Sequence, residues 1–130
     1  MSVAFIRSTG LRLILGALHE AAERGVKVRI LTGDYLSVTE PSALRSLLLL
    51  AEDGAEIFVY EADAKRSFHM KTYIFVTGSD GSAFIGSSNI SESALKHGLE
   101  WNLRVDRKEN PQRFDRYWKV LPTFCPLTDA

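Results

Sequence analysis

The residues whose types and spacing invite chemistry lie in one part of the chain. They are Phe68-His69-Met70-Lys71-Thr72-Tyr73-Ile74-Phe75-Val76 and, after a Gly-rich turn, Phe84-Ile85-Gly86-Ser87-Ser88-Asn89. The two runs predict strands joined by a hairpin through Thr77-Gly78-Ser79-Asp80-Gly81, and hence antiparallel. Alternation puts Phe68, Met70, Thr72, Ile74 and Val76 on one face of the first strand, and His69, Lys71, Tyr73 and Phe75 on the other. His69 and Lys71 then share a face, roughly 6.5 to 7 Å apart at the backbone, a span that phosphate oxygens bridge. An imidazole and an ammonium among apolar and aromatic neighbours are costly to bury without an anionic partner. The pair therefore points to a phosphoryl ligand, although His-x-Lys alone also fits a strand with a solvent-facing polar side.

Two further stretches bear on this pair. Asn89 followed three residues on by Glu92 predicts a helix start with a capping box, and a helix start favours an anion through its free N–H groups and dipole. In Leu99-Glu100-Trp101-Asn102-Leu103-Arg104-Val105, alternation sets Leu99, Trp101, Leu103 and Val105 on one face and Glu100, Asn102 and Arg104 on the other. The polar face reads either as a solvated Glu to Arg pair or as a carboxylate serving a site.

His-x-Lys followed by Gly-Ser-x-Asn resembles the signature of the phospholipase D, or HKD, superfamily of phosphodiesterases. The matching residues are His69, Lys71, Gly86, Ser87 and Asn89, and Glu100 stands eleven residues after Asn89, where nuclease members carry a glutamate. The family's aspartate, seven residues after the histidine, is replaced by Val76. Several nuclease-like members are similar in lacking it, so this departure weighs more against a lipase than against a nuclease. Phe5-Ile6-Arg7-Ser8, Leu31-Thr32-Gly33-Asp34-Tyr35 and Glu100-Trp101-Asn102 also resemble the HKD domain at the N-terminus of certain bacterial superfamily II helicases.

The resemblance implies a phospholipase D-like α/β fold, a mixed sheet flanked by helices on both faces. It also implies a metal-independent phosphodiesterase with no cofactor, most simply a DNA nuclease module attached to a helicase or restriction-type protein. In that scheme His69 attacks phosphorus and becomes a phosphohistidine, Lys71 and Asn89 with Ser87 stabilise the equatorial oxygens, and Glu100 orients the imidazole. Arg7 and Ser88 are secondary candidates for substrate contact, Arg7 and Asp34 also fitting structural ion pairs. In HKD enzymes a second histidine supplies the general acid, and the chain holds one His-x-Lys, so the resemblance implies a homodimer that shares the site. The expected partners are DNA, a second copy and a linked helicase region, with no membrane. Alternatives are a silent DNA-binding or dimerisation module and, with less support, a phospholipid phosphodiesterase.

Composition sets the frame. With 130 residues, 45% hydrophobic and 25% charged, the chain suits one packed domain over 1–130, expected to be a fragment of a longer protein because an apolar strand-like run starts at Val3. Sixteen basic and sixteen acidic residues cancel, so any grip on a polyanion must be local. The single Cys125 excludes an internal disulfide and fits a reducing, cytoplasmic setting. The apolar run Leu13 to Leu18 is flanked by Arg12, His19 and Glu20, and no run approaches the roughly 18 apolar residues of a membrane span.

The positioning elements follow in order. Val3 to Ile6 predicts a buried strand, then a helix capped by Ser8 or Thr9 with the stripe Leu11, Ile14, Leu15, Leu18 and Ala22, closed by Gly25. Val26 to Leu31 predicts a strand, Thr32-Gly33-Asp34 a turn, and Thr39 with Pro41 a second helix whose apolar face is Leu44, Leu47, Leu48 and Ala51, ended by Gly54. Glu56 to Tyr60 predicts a third strand. A short helix after Asn89 ends at Lys96-His97-Gly98, a strand covers Leu99 to Val105, and Asn110-Pro111 starts a last helix with the stripe Phe114, Tyr117, Trp118 and Leu121, stopped by Pro122. Strands alternating with helices predict a parallel first half, and the hairpin an antiparallel second half. His19-Glu20-Ala21-Ala22-Glu23 lacks the second histidine of a zinc-protease helix, so no metal site is expected from it.

Overall fold

The computed structural model describes residues 1–34, 38–63 and 65–120. The expected Leu121 and Pro122 at the end of the last helix, and Cys125, lie outside the described residues. In chain order the elements are β1 (Ser2–Val3), α1 (Ser8–Glu23), β2 (Arg29–Gly33), α2 (Pro41–Glu52), β3 (Glu56–Tyr60), β4 (Lys71–Thr77), β5 (Asp80–Gly86), β6 (Asn102–Asp106) and α3 (Pro111–Val120). A single turn of π-helix, Ser93–His97, lies between β5 and β6. The strands form one six-stranded sheet in the order β3-β2-β1-β4-β5-β6. β1, β2 and β3 run parallel through the α1 and α2 crossovers, whereas β4, β5 and β6 are antiparallel neighbours. The mixed sheet expected from the sequence is the one observed, with β1 and β4 as the antiparallel seam between its halves.

Helices cover both faces. Val3, Ile6, Leu11, Ile30, Leu47, Leu50, Ile57 and Ile90 form the core between the sheet and α1 with α2, and Tyr73 of β4 packs against it. Its neighbour Ile74 joins Ala83, Val105 and Phe114 on the opposite face, beneath α3. Alternation along one strand thus feeds two cores. Gly25 and Gly54, both at positive φ, follow α1 and α2 where the sequence placed helix ends. Gly78, φ 57°, opens the two-residue turn between Thr77 and Asp80 that fixes the hairpin register.

Several boundaries differ from expectation, each for a local reason. The α1 start is capped by neither Ser8 nor Thr9. Glu40, from the segment before α2, accepts hydrogen bonds from the Ser8 N–H at 2.7 Å and from its hydroxyl, so a carboxylate from another element satisfies the helix start. Thr39 does not cap α2 either. Its hydroxyl donates to the Gly33 carbonyl at 2.9 Å, and Glu40 takes the N-cap place ahead of Pro41. The buried stripe of α2 is Ala43, Leu47 and Leu50, and Leu48 is exposed. β2 begins at Arg29 rather than Val26 and runs through Thr32 and Gly33, because it pairs residue for residue with β3 from Arg29–Glu56 to Gly33–Tyr60. The N-terminal strand is Ser2–Val3 only, and Ile6 makes an isolated parallel bridge to Ile90.

That bridge leads to the end of the sheet where the His69 pair lies. The Arg7 N–H donates to the Ile90 carbonyl at 2.8 Å. Gly10 presses against the same segment, and a Cβ there would meet the Ser91 Cα at 2.4 Å. The start of α1 is thereby fastened to the chain that follows β5.

Candidate functional site

β4 begins at Lys71, not at Phe68, so His69 lies just ahead of the strand. The two side chains nevertheless meet. The Lys71 Nζ stands 2.8 Å from the His69 Nδ1, 3.3 Å from its Nε2 and 3.0 Å from its carbonyl oxygen. An ammonium only donates, so the ring accepts from Lys71 through Nδ1. Lys71 is 8% exposed while His69 is exposed. Burial lowers the Lys71 pKa, and the nearby Glu100 carboxylate raises it in part. Among the described residues, Lys71 has no carboxylate within ion-pair distance and rests on the His69 ring and carbonyl, which leaves its charge available to an entering anion.

Ser87, Ser88 and Asn89 follow the end of β5 at the same side of the sheet. The Ser87 hydroxyl donates to the Glu100 carboxylate and accepts from the Trp101 N–H at 3.0 Å. The Ser87 N–H donates to the Trp101 carbonyl at 3.0 Å. Gly86 makes this seam possible, since a Cβ there would lie 1.9 Å from the Trp101 carbonyl oxygen. Asn89 is buried and its Oδ1 accepts from the Phe5 N–H at 3.2 Å. The expected capping box is therefore absent: Asn89 serves the N-terminal segment, Ser91 Oγ accepts from the Ala94 N–H, and Glu92 pairs with Lys96 at 3.2 Å. With its oxygen fixed, Asn89 has its amide N–H groups as its remaining donors.

Glu100 was expected to orient His69. It lies ahead of β6, is held by Ser87, and acts on Lys71 and Tyr73 through its charge. Burial, with Glu100 adding to it, raises the Tyr73 phenol. Arg7 pairs with Glu40 at 3.6 Å and so belongs to the α1 start, and Asp34 accepts from the Ala62 N–H at 2.8 Å to fix a loop. His69, Lys71, Ser87, Ser88, Asn89 and Glu100 thus share one end of β4, β5 and β6, and Arg7 is engaged beside it.

Two side chains that sequence reasoning passed over hold this end together. The Tyr73 hydroxyl donates to the Ser88 carbonyl at 2.9 Å, and the Asn102 Nδ2 donates to the Ser88 Oγ at 2.8 Å. Both lie on the polar face that alternation assigned to His69, Lys71 and Glu100, which was the available signal. Val76 is exposed toward the far end of β4. The expected apolar face of β6 is only partly covered: Val105 is buried, while Leu99 is 101% and Trp101 88% exposed. Both residues precede β6, which starts at Asn102. No helix among the described residues is long and apolar enough to cross a membrane.

Comparison with known proteins agrees with this architecture. Residues 3–121 match the family described as cardiolipin synthase, PLD-like domain. A search of curated proteins gave no match. Among solved structures, the polyphosphate kinase from Porphyromonas gingivalis superposes with a TM-score of 0.60 at 19% identity, over 92% of this chain and 20% of that one. The chain therefore spans about a fifth of that protein's length, and the likeness is one of fold. With its six-stranded mixed sheet and a family match over nearly its whole length, the chain belongs to the phospholipase D-like domain family.

Proposed function

We propose that the domain is a metal-independent phosphodiesterase acting on DNA, with His69 as nucleophile. The observation that carries this reading is the contact of buried Lys71 with the His69 ring, at the end of the sheet where Ser87, Asn89 and Glu100 also lie. The Lys71 ammonium donates to the lone pair of the His69 Nδ1. An entering phosphate gives Lys71 a better acceptor, and the ring nitrogen is released to attack phosphorus. One N–P bond forms and one P–O bond breaks, and the leaving oxygen takes a proton from an acid. Water then cleaves the N–P bond, returning its proton to that same acid. Lys71 and the Asn89 amide stabilise the charge on the equatorial oxygens. Glu100 supports Lys71 from the Ser87 side.

The acid is assigned to the equivalent histidine of a second copy, because the sequence holds one His-x-Lys. Exposed Leu99 and Trp101, adjoining Ser87, supply apolar surface for such a contact. In the full protein the domain is read as the catalytic module of a helicase or restriction-type protein. The family description, which names cardiolipin synthase, favours a second reading as a phosphatidyl-group enzyme. Plasmid DNA and phosphatidylglycerol vesicles, each incubated with purified protein in EDTA, separate the two. Nicking of the plasmid with a phosphoryl adduct on His69 is expected. Turnover of lipid alone, a magnesium requirement, or an adduct on Ser87 overturns the nuclease mechanism.

A further inference from the structure

Where α3 meets the sheet, a cavity of about 290 Å³ opens beside the reactive pair, lined by His69, Lys71, Met70, Ile85 and Tyr117 among others. We propose that this cavity receives the nucleobase next to the scissile phosphate, with the Tyr117 ring as its stacking wall; the assignment rests on the reading that the phosphate is held by His69 and Lys71. Continuity is the first support. His69 and Lys71, which would hold the phosphodiester, also border this space at the start of β4, so a substituent that turns past that strand end enters it on the Met70, Ile85 and Tyr117 side. The chemistry of the walls is the second. A thioether, a branched aliphatic chain and a phenol ring make a surface that suits a flat, weakly polar ring system, and base stacking on an aromatic side chain tolerates any base sequence.

Size separates the base from the competing occupant. A space of about 290 Å³ lies at the small end of ligand cavities and fits one planar ring system better than two acyl chains. Tyr117 also differs from its stripe-mate. Phe114 is fully buried beneath Ala83 and Val105, whereas Tyr117 is only half-buried, packed against that cluster. Among the described residues no hydrogen bond holds the Tyr117 hydroxyl, so its ring is placed by packing and its polar end is available to a base edge.

The test measures binding, and so does not depend on turnover. Deoxyadenosine monophosphate, deoxyribose 5-phosphate and dihexanoyl phosphatidic acid are titrated against the whole chain by calorimetry. The base is expected to tighten binding about 5- to 150-fold over the sugar phosphate. Tyr117→Leu, which keeps the bulk of the side chain, should erase that gain and leave deoxyribose 5-phosphate unaffected, whereas Tyr117→Phe should retain it. In the wild-type protein, base protons of the bound nucleotide should show NMR cross-relaxation to the Tyr117 ring, a readout that needs no variant. Equal affinity for nucleotide and sugar phosphate, a gain that survives Tyr117→Leu, tighter binding of the phosphatidic acid, or absent cross-relaxation overturns the assignment. Plasmid nicking measured in parallel keeps the two ideas apart: base-dependent binding without nicking counts against the nuclease reading alone, and nicking without base-dependent binding against the cavity alone.

Discussion

Lys71 is the residue on which stability and the proposed function oppose each other. Burial of its ammonium outweighs the attraction of the Glu100 carboxylate, so the folded protein holds that proton less tightly than the unfolded chain does. The sign follows from this lowering. The penalty is fully present below the folded pKa of Lys71 and fades as pH rises toward the ordinary 10.5. Lys71→Met should therefore raise the melting temperature of the empty protein at neutral pH, abolish the stabilisation given by added phosphate, and cut turnover by at least about 10²-fold. A melting temperature that falls on substitution would show that the lysine is not strained in the empty site. Tyr73 is the complementary case, a positioning residue legible in the sequence only as part of a strand. Removing its hydroxyl in Tyr73→Phe leaves the Ser88 carbonyl without that donor and should cost about 1 kcal/mol in urea denaturation. Because Ser88 precedes Asn89, the variant should also lower kcat more than it raises KM, whereas a purely structural role would leave kinetics at permissive temperature unchanged. His69 and Lys71 could be read from spacing because they are two residues apart. Tyr73 and Asn102 could not be read as a pair: they lie 29 residues apart in the numbering, and only the pairing of β4 and β6 on either side of β5 brings both to Ser88.

At the scale of elements, periodicity revealed which segments form and turn chemistry revealed most of where they stop. The two helix-closing glycines and the Gly78 hairpin were legible because positive φ is a local demand. The caps at Ser8, Thr39 and Asn89 were misread because their partners come from elsewhere in the chain, whereas Asn110-Pro111 does start α3. Ser8 has the chemistry of a cap, yet Glu40, 32 residues on, takes both its N–H and its hydroxyl. Asn89 likewise has the chemistry of a cap, and its oxygen is spent on Phe5. A helix start satisfied by a distant carboxylate carries a pH signature. Hydrogen bonds from Ser8, with Arg7 nearby, lower the Glu40 pKa below its ordinary 4.5, so the stabilisation is present above that value and is lost as pH falls through the depressed range. Thermal scans from pH 7 to pH 3 should show Glu40→Gln with a lower melting temperature at neutral pH and a shallower acid limb than the wild type. Parallel curves for the two proteins would show that the Ser8–Glu40 contact adds nothing to folding.

For the whole molecule, zero formal net charge sets the problem: nothing in the overall field draws this chain to a polyanion, so binding must come from a concentrated site. In the proposed dimer, two half-sites brought together would provide it. Each copy contributes one Lys71 and one Asn89, and the surface beside them is apolar, with Trp101 nearly uncovered and hydrogen-bonded through its backbone to Ser87 on either side. A twofold contact uses the same patch on both copies, and an apolar patch is its own complement. Two ammonium groups facing one another in an empty shared site repel, so phosphate or sulfate should favour the dimer and raise its melting temperature through mass action. Trp101→Ser should shift sedimentation toward the monomer and remove nicking activity while leaving the monomer folded. The decisive measurement mixes His69→Ala chains with tagged intact chains and isolates the heterodimer. If one phosphate lies between the two imidazoles, each heterodimer lacks either its nucleophile or its acid, and its activity should fall by roughly 10³-fold or more below that of the wild-type dimer. Heterodimers that keep half the wild-type activity would show two independent sites, and the acid would then have to be sought within the single chain.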